Sequence, residues 1–95
     1  MIKLITYAMI AGFVALPPAQ YDHAPTVAYT VDVLPKEQFD ATCGVERAPR
    51  YKLGCTIDWL DAIFIRDDLS DDAFKRVLRH EIGHINGWGS HHERR

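Results

Sequence analysis

Blocks of like charge are missing from this sequence: no run of one sign exceeds two residues, and the net charge is −2. That pattern does not fit a nucleic-acid-binding chain. Long apolar runs are missing too. The longest, residues 4–16 (LITYAMIAGFVAL), falls short of the roughly 20 residues of a membrane span. Methionine is confined to Met1 and Met9, and cysteine to Cys43 and Cys55. Repeats and low-complexity segments are absent. What remains is a chain of 95 residues with ordinary apolar content, enough for one folded domain at most.

The first twenty residues differ from the rest. Lys3 is their only charge, an apolar run follows, and Pro17-Pro18 end it before the small residue Ala19. This layout matches a signal peptide over residues 1–19, with export to a periplasm or the outside and no stable membrane insertion once it is removed. A retained anchor and a buried first element are the alternatives. No cysteine lies near the run, so a lipid-anchored lipoprotein is not supported. Residues 20–95 would then form a domain of about 75 residues, a size at which a core gains from a staple or a metal. In an exported chain Cys43 and Cys55 read as one disulfide. The competing role is Cys55 as a metal ligand.

The pattern predicts an α+β fold of a few short strands packed on one long helix. Tyr21–Pro25 reads as an extended linker. Thr26–Leu34 alternates Val27, Tyr29, Val31 and Val33 with smaller or polar neighbours and reads as a strand ended by Pro35. Residues 36–42 allow a short helical turn, and residues 43–54 carry turn residues. Cys55–Leu60 and Ala62–Arg66 are short apolar runs with strand character, the second clearer than the first. Ser70 can cap a helix with Asp71 and Asp72 in its first turn, and Leu69 with Phe74 can form a hydrophobic staple. Phe74, Val77, Leu78, Ile82 and Ile85 then recur at helical spacing, with Lys75, Arg76 and Arg79 on the other side. Gly87 suits the left-handed position that closes the helix.

Four of the five histidines stand in HEIGHINGWGSHH, residues 80–92. His80 and His84 are four apart on the helix, so both imidazoles fall on one side, beside the apolar stripe, and can chelate one zinc ion. Glu81 is placed to accept a proton from water, not to ligate the metal. A catalytic site needs a third protein ligand and an open position. Gly87 lets the chain turn back, which makes His91, His92 and Glu93 candidates, of which at most one should ligate.

The run resembles the zincin metallopeptidases. His80, Glu81, His84 and Gly87 match the metzincin pattern HExxHxxGxxH, but its third histidine position falls on Ser90, and no methionine follows the site. A closer likeness is to small phage and bacterial zincin-like proteins with HExxHxNGWxxxH, which matches Asn86, Gly87 and Trp88 as well. That likeness covers about a quarter of the chain. It implies His92 as third ligand, with His91 the alternative. It implies a zinc-dependent metallopeptidase acting on a peptide or protein substrate. It also implies that Ala62–Arg66 lines one edge of the cleft, where substrate adds as another strand. Two other functions stay open: a deformylase- or amidase-like zinc hydrolase using Cys55, and a non-catalytic binding protein stabilised by zinc. Neither the substrate nor the oligomeric state is legible.

Overall fold

The computed structural model describes residues 14–45 and 52–94. The fold is α+β, a three-stranded mixed sheet with two helices. Strand β1 (Thr30–Leu34) leads into helix α1 (Lys36–Cys43). Strands β2 (Gly54–Ile57) and β3 (Ala62–Arg66) follow, joined by a single 3-10 turn at Asp58–Leu60, and helix α2 (Asp71–Ile85) comes last. The sheet order is β1-β3-β2, with β1 parallel and β2 antiparallel to β3.

The central position of β3 corrects the expectation that Ala62–Arg66 borders a cleft. Both of its edges are already hydrogen-bonded, so it offers no free edge to a substrate. Its near-continuous apolar run has a simple cause: both faces of a central strand are covered. Ile63 and Ile65 join Leu53, Ala73 and Val77 in the core beneath α2. Ala62, Phe64 and Arg66 alternate to the other face. Arg66, buried at the strand end, forks onto the carboxylate of Asp68, which offsets the desolvation of its charge.

β1 begins four residues later than its alternation predicts. Val27, Tyr29 and Val33 are exposed, and only Val31 packs on the core. Residues 36–42 form more than a turn: α1 has eight residues and buries Phe39 completely. Cys55–Leu60 is divided between β2 and the 3-10 turn; of the expected loop at 43–54, Cys43 ends α1, Gly54 begins β2, and residues 46–51 lie outside the described residues.

α2 starts as its sequence directs. The Ala73 N–H donates to Ser70 Oγ at 3.2 Å, a cap worth about 1 kcal/mol. Leu69 and Phe74 both pack on the core. The helix ends in a Schellman turn: the Trp88 N–H reaches the Gly83 carbonyl and the Gly87 N–H the His84 carbonyl. Gly87, at φ 105°, occupies a conformation that side chains resist.

Cys43 and Cys55 form a disulfide, with Cα atoms 5.9 Å apart. It ties the end of α1 to β2 and stabilises the fold by about 3 kcal/mol in the chain-entropy model. A disulfide fits an oxidising, extracellular-like environment. Among the described residues no helix is long and apolar enough to cross a membrane. Residues 1–13 of the expected leader lie outside the described residues. Residues 14–19 are placed, and pack against α2: Pro17 is buried, and the Val14 carbonyl accepts a hydrogen bond from Arg76 Nε. Arg79 pairs with Asp22. The polar side of α2 is thus partly covered: Arg76 is half-buried under the segment, while Lys75 and Arg79 stay exposed as their spacing predicts.

Candidate metal centre

The site is built on the last two turns of α2 and on the tail behind it. His80 and His84 project from one side of the helix. The turn at Gly87 sends the chain back, and Trp88 is pulled inward to 2% exposure. The tail then brings in His92, whose N–H bonds the Gly89 carbonyl. His92 sits at φ 55°, in the left-handed region. That conformation costs a non-glycine residue about 1–2 kcal/mol, and such strain gathers at functional sites.

The three Nε2 atoms converge. His84 Nε2 lies 3.2 Å from His80 Nε2 and 3.1 Å from His92 Nε2, and the third side is 3.2 Å. These contacts cannot all be hydrogen bonds. His80 Nδ1 faces the Ala15 carbonyl at 2.6 Å, and His84 Nδ1 faces the Trp88 carbonyl at 2.7 Å. A carbonyl only accepts, so in both rings the proton sits on Nδ1 and Nε2 is a bare lone pair. Two lone pairs at 3.2 Å repel unless a cation lies between them. Two nitrogens on one tetrahedral zinc stand about 3.3–3.4 Å apart, given bonds of about 2.0–2.1 Å. The donor set therefore fits a metal ion, and the three histidines form a group able to hold one. His91 is exposed and outside that group, as is the Glu93 carboxylate.

Trp88 is the floor of the centre. Its ring stacks on His84 at 5.0 Å and 13°, and meets His80 at 5.0 Å and His92 at 4.8 Å edge-on. Its indole N–H is held by the Glu93 carbonyl at 2.8 Å. One side chain thus backs all three imidazoles, while its own carbonyl fixes the proton of His84. In the sequence Trp88 is visible only as a matched letter of a motif. The signal available there was a large aromatic between two glycines in an otherwise polar tail.

No family model, curated protein or solved structure matches this chain. The chemistry of the centre is therefore argued from its own geometry.

Glu81 lies in the same cleft of about 860 Å³, one wall of which is β2. It is 6% exposed, and its Oε1 accepts a hydrogen bond from Thr56 Oγ1 at 2.8 Å. Burial raises its pKa. The Thr56 hydroxyl and the charges of His84 and Lys52 pull the other way, and burial outweighs them. Sequence reasoning missed Thr56, because nothing local in CTIDWL marks a residue 25 positions from its partner. Cys55 also borders the cleft, but its sulfur is engaged by Cys43.

Burial pushes the His80 pKa down to about 4, against the opposing pull of the Ala15 carbonyl and with help from His84 and His92. Burial also lowers the pKa of His92, with repulsion from His84 and His91 adding to it. At neutral pH both rings are uncharged, as ligands must be.

Two predictions follow from this arrangement. Alanine at His80 or His84 should abolish stoichiometric metal, and alanine at His92 should weaken it far more than alanine at His91. Competition with a chromophoric chelator measures all four, and equal losses at 91 and 92 would overturn the ligand set. The second concerns pH. Above pH 6.5 His80 is neutral in both folded and unfolded chains and contributes no pH dependence. As pH falls from 6.5 to about 4 the unfolded chain takes up a proton that the folded one refuses, so the metal-free fold loses stability. Glu81, with its raised pKa, works in the opposite direction. The decisive comparison is therefore with His80→Gln, whose melting temperature should fall less over that range than that of the unsubstituted protein. Parallel melting curves would contradict the assignment.

Proposed function

We propose that this chain is a zinc-dependent metallopeptidase of the zincin kind. The observation that carries the reading is the triangle of Nε2 atoms beside the buried carboxylate of Glu81, in one cleft. Three imidazoles with no sulfur or carboxylate suit zinc, and among the described residues the group offers three ligands and no fourth. That count leaves a coordination position for chemistry, as in catalytic zinc sites. Bound there, zinc supplies a Lewis acid that polarises a carbonyl and lowers the pKa of water to about 7.

The remaining work falls to the chain. Glu81 takes the proton of the attacking water and passes it to the leaving amine. A carboxylate whose pKa is raised by burial is a stronger base for the first step, and it holds that proton until the more basic leaving amine takes it. Thr56 holds that carboxylate by its hydroxyl hydrogen bond and so limits its rotamers. Strand β2 ends the sheet on the side of the cleft, and among the described residues no strand pairs its outer edge, where an extended peptide backbone could add. β2 thus takes the part that the resemblance gives to Ala62–Arg66.

The two other readings fare differently. A deformylase- or amidase-like hydrolase would use Cys55 as thiolate, and the disulfide withholds that sulfur. A zinc-stabilised binding protein would use the same three histidines but has no need of a buried carboxylate held by a threonine.

Glu81→Gln separates catalysis from structure. The amide oxygen still accepts from Thr56, so zinc content should stay at one per chain. Hydrolysis of a broad peptide library should fall by about 10²–10⁴-fold, the usual worth of a general base. Equal cleavage by the variant would remove Glu81 from the mechanism, and loss of zinc would make it a structural residue.

A further inference from the structure

Residues 14–23 run along α2 on the side away from the sheet, and three successive carbonyls in this strap each take a donor. Val14 accepts from Arg76 Nε at 2.7 Å, Ala15 from His80 Nδ1 at 2.6 Å, and Leu16 from Arg94 Nη1 at 2.7 Å. Pro17 is buried against the helix at Gly83, where an added Cβ would stand 2.5 Å from its ring. Farther on, Asn86 Nδ2 donates to the Tyr21 and His23 carbonyls, and Asp22 pairs with Arg79. The strap is thus fixed at both ends and in the middle.

Two of these contacts bear on the metal ligands. The Ala15 carbonyl holds the His80 proton on Nδ1, which turns the bare Nε2 toward His84 and His92. The Leu16 carbonyl holds Arg94, two residues beyond His92, and Arg94 also lies over the Trp88 ring at 5.9 Å. The tail has no regular secondary structure to place His92, so it depends on such anchors.

We propose that the strap at residues 14–17 is a working part of the metal centre. It positions His80 through the Ala15 carbonyl and His92 through the Leu16–Arg94 contact, so that a chain without it binds metal weakly. The inference rests on the zinc reading above. It makes Ala15, Leu16 and Arg94 positioning residues, since none touches the reacting atoms. It also bears on processing. Cleavage after Ala19, where the leader pattern ends, would remove all three carbonyls. A chain that works as a zinc protein therefore keeps Val14 to Ala19, and any cut that frees it from a leader falls upstream of Val14.

The test uses the full-length chain, zinc alone as ligand, and a chromophoric chelator as competitor. Partners of this kind are worth about 10- to 100-fold in metal affinity. Pro17→Asp, which puts a charge in the buried contact with Gly83, should lose that much. Arg94→Met should do the same, and Arg94→Lys, which restores a donor and a cation, should recover most of it. In cobalt-loaded protein the visible spectrum should shift in Pro17→Asp and Arg94→Met and return in Arg94→Lys, a change that loss of stability alone does not produce. Should Pro17→Asp not fold by circular dichroism, Arg94→Met decides, because Arg94 is exposed. Mass spectrometry of zinc-loaded protein from an exporting host should find Val14 to Ala19 present. Affinities of folded Pro17→Asp and Arg94→Met within about twofold of the unsubstituted chain would overturn the inference, as would zinc-loaded protein from the exporting host that lacks Val14 to Ala19. Failure of the unsubstituted chain to bind zinc at all would overturn the zinc reading beneath it and this inference with it.

Discussion

Three imidazole nitrogens gathered within 3.2 Å of one another, two of them bare lone pairs, are the constraint on which the rest of this molecule turns. Without a cation the His80–His84 side of that triangle is repulsive, and yet several features maintain it. The helix supplies two corners at i and i+4. The Schellman turn reverses the chain, and the third corner is reached at a strained φ of 55°. The Ala15 and Trp88 carbonyls remove the choice of tautomer for His80 and His84. Metal affinity in such a site is also folding energy, since the unfolded chain has no preformed triangle. The strained backbone of His92 is a cost that a bound ion would offset.

The same economy explains the supports around a small core. Five side chains form the buried cluster between sheet and helix. A core of that size is marginal; the disulfide and the N-terminal strap each tie segments that would otherwise meet only at their edges, and a metal held by the three histidines would add another tie. The disulfide fixes β2, the strand that walls the cleft and carries Thr56. The strap packs on part of the side of α2 that the sheet leaves open, at Arg76 and Gly83. The proposed catalytic carboxylate thus lies on a helix packed on two sides, which suits a group whose position must be held closely.

Local signals are legible in this sequence and long-range ones are not. Ser70, the acidic first turn and Gly87 bound α2 to within a residue, because capping is decided by neighbours a few positions apart. His80, Glu81 and His84 are legible for the same reason: helical spacing alone places them. His92 was reached through a likeness of motif, and what places it physically is a folded tail that no periodicity describes. Ala62–Arg66 was recognisable as a strand, but its partners were not, since an apolar run does not say how many strands flank it. Thr56 and the strap are not legible, and Trp88 shows only as a motif letter without its role, because each acts through contacts set by the fold. The Ala15 carbonyl could not have been found at all from residue types, since the group that matters belongs to the backbone.

X-ray absorption at the zinc edge of the loaded protein tests the central claim most directly, for it reads the atoms around the metal. The account predicts three imidazole nitrogens and one further light atom at about 2.0–2.1 Å, with no sulfur. A sulfur scatterer at about 2.3 Å, or a first shell with fewer than three imidazoles, would contradict it.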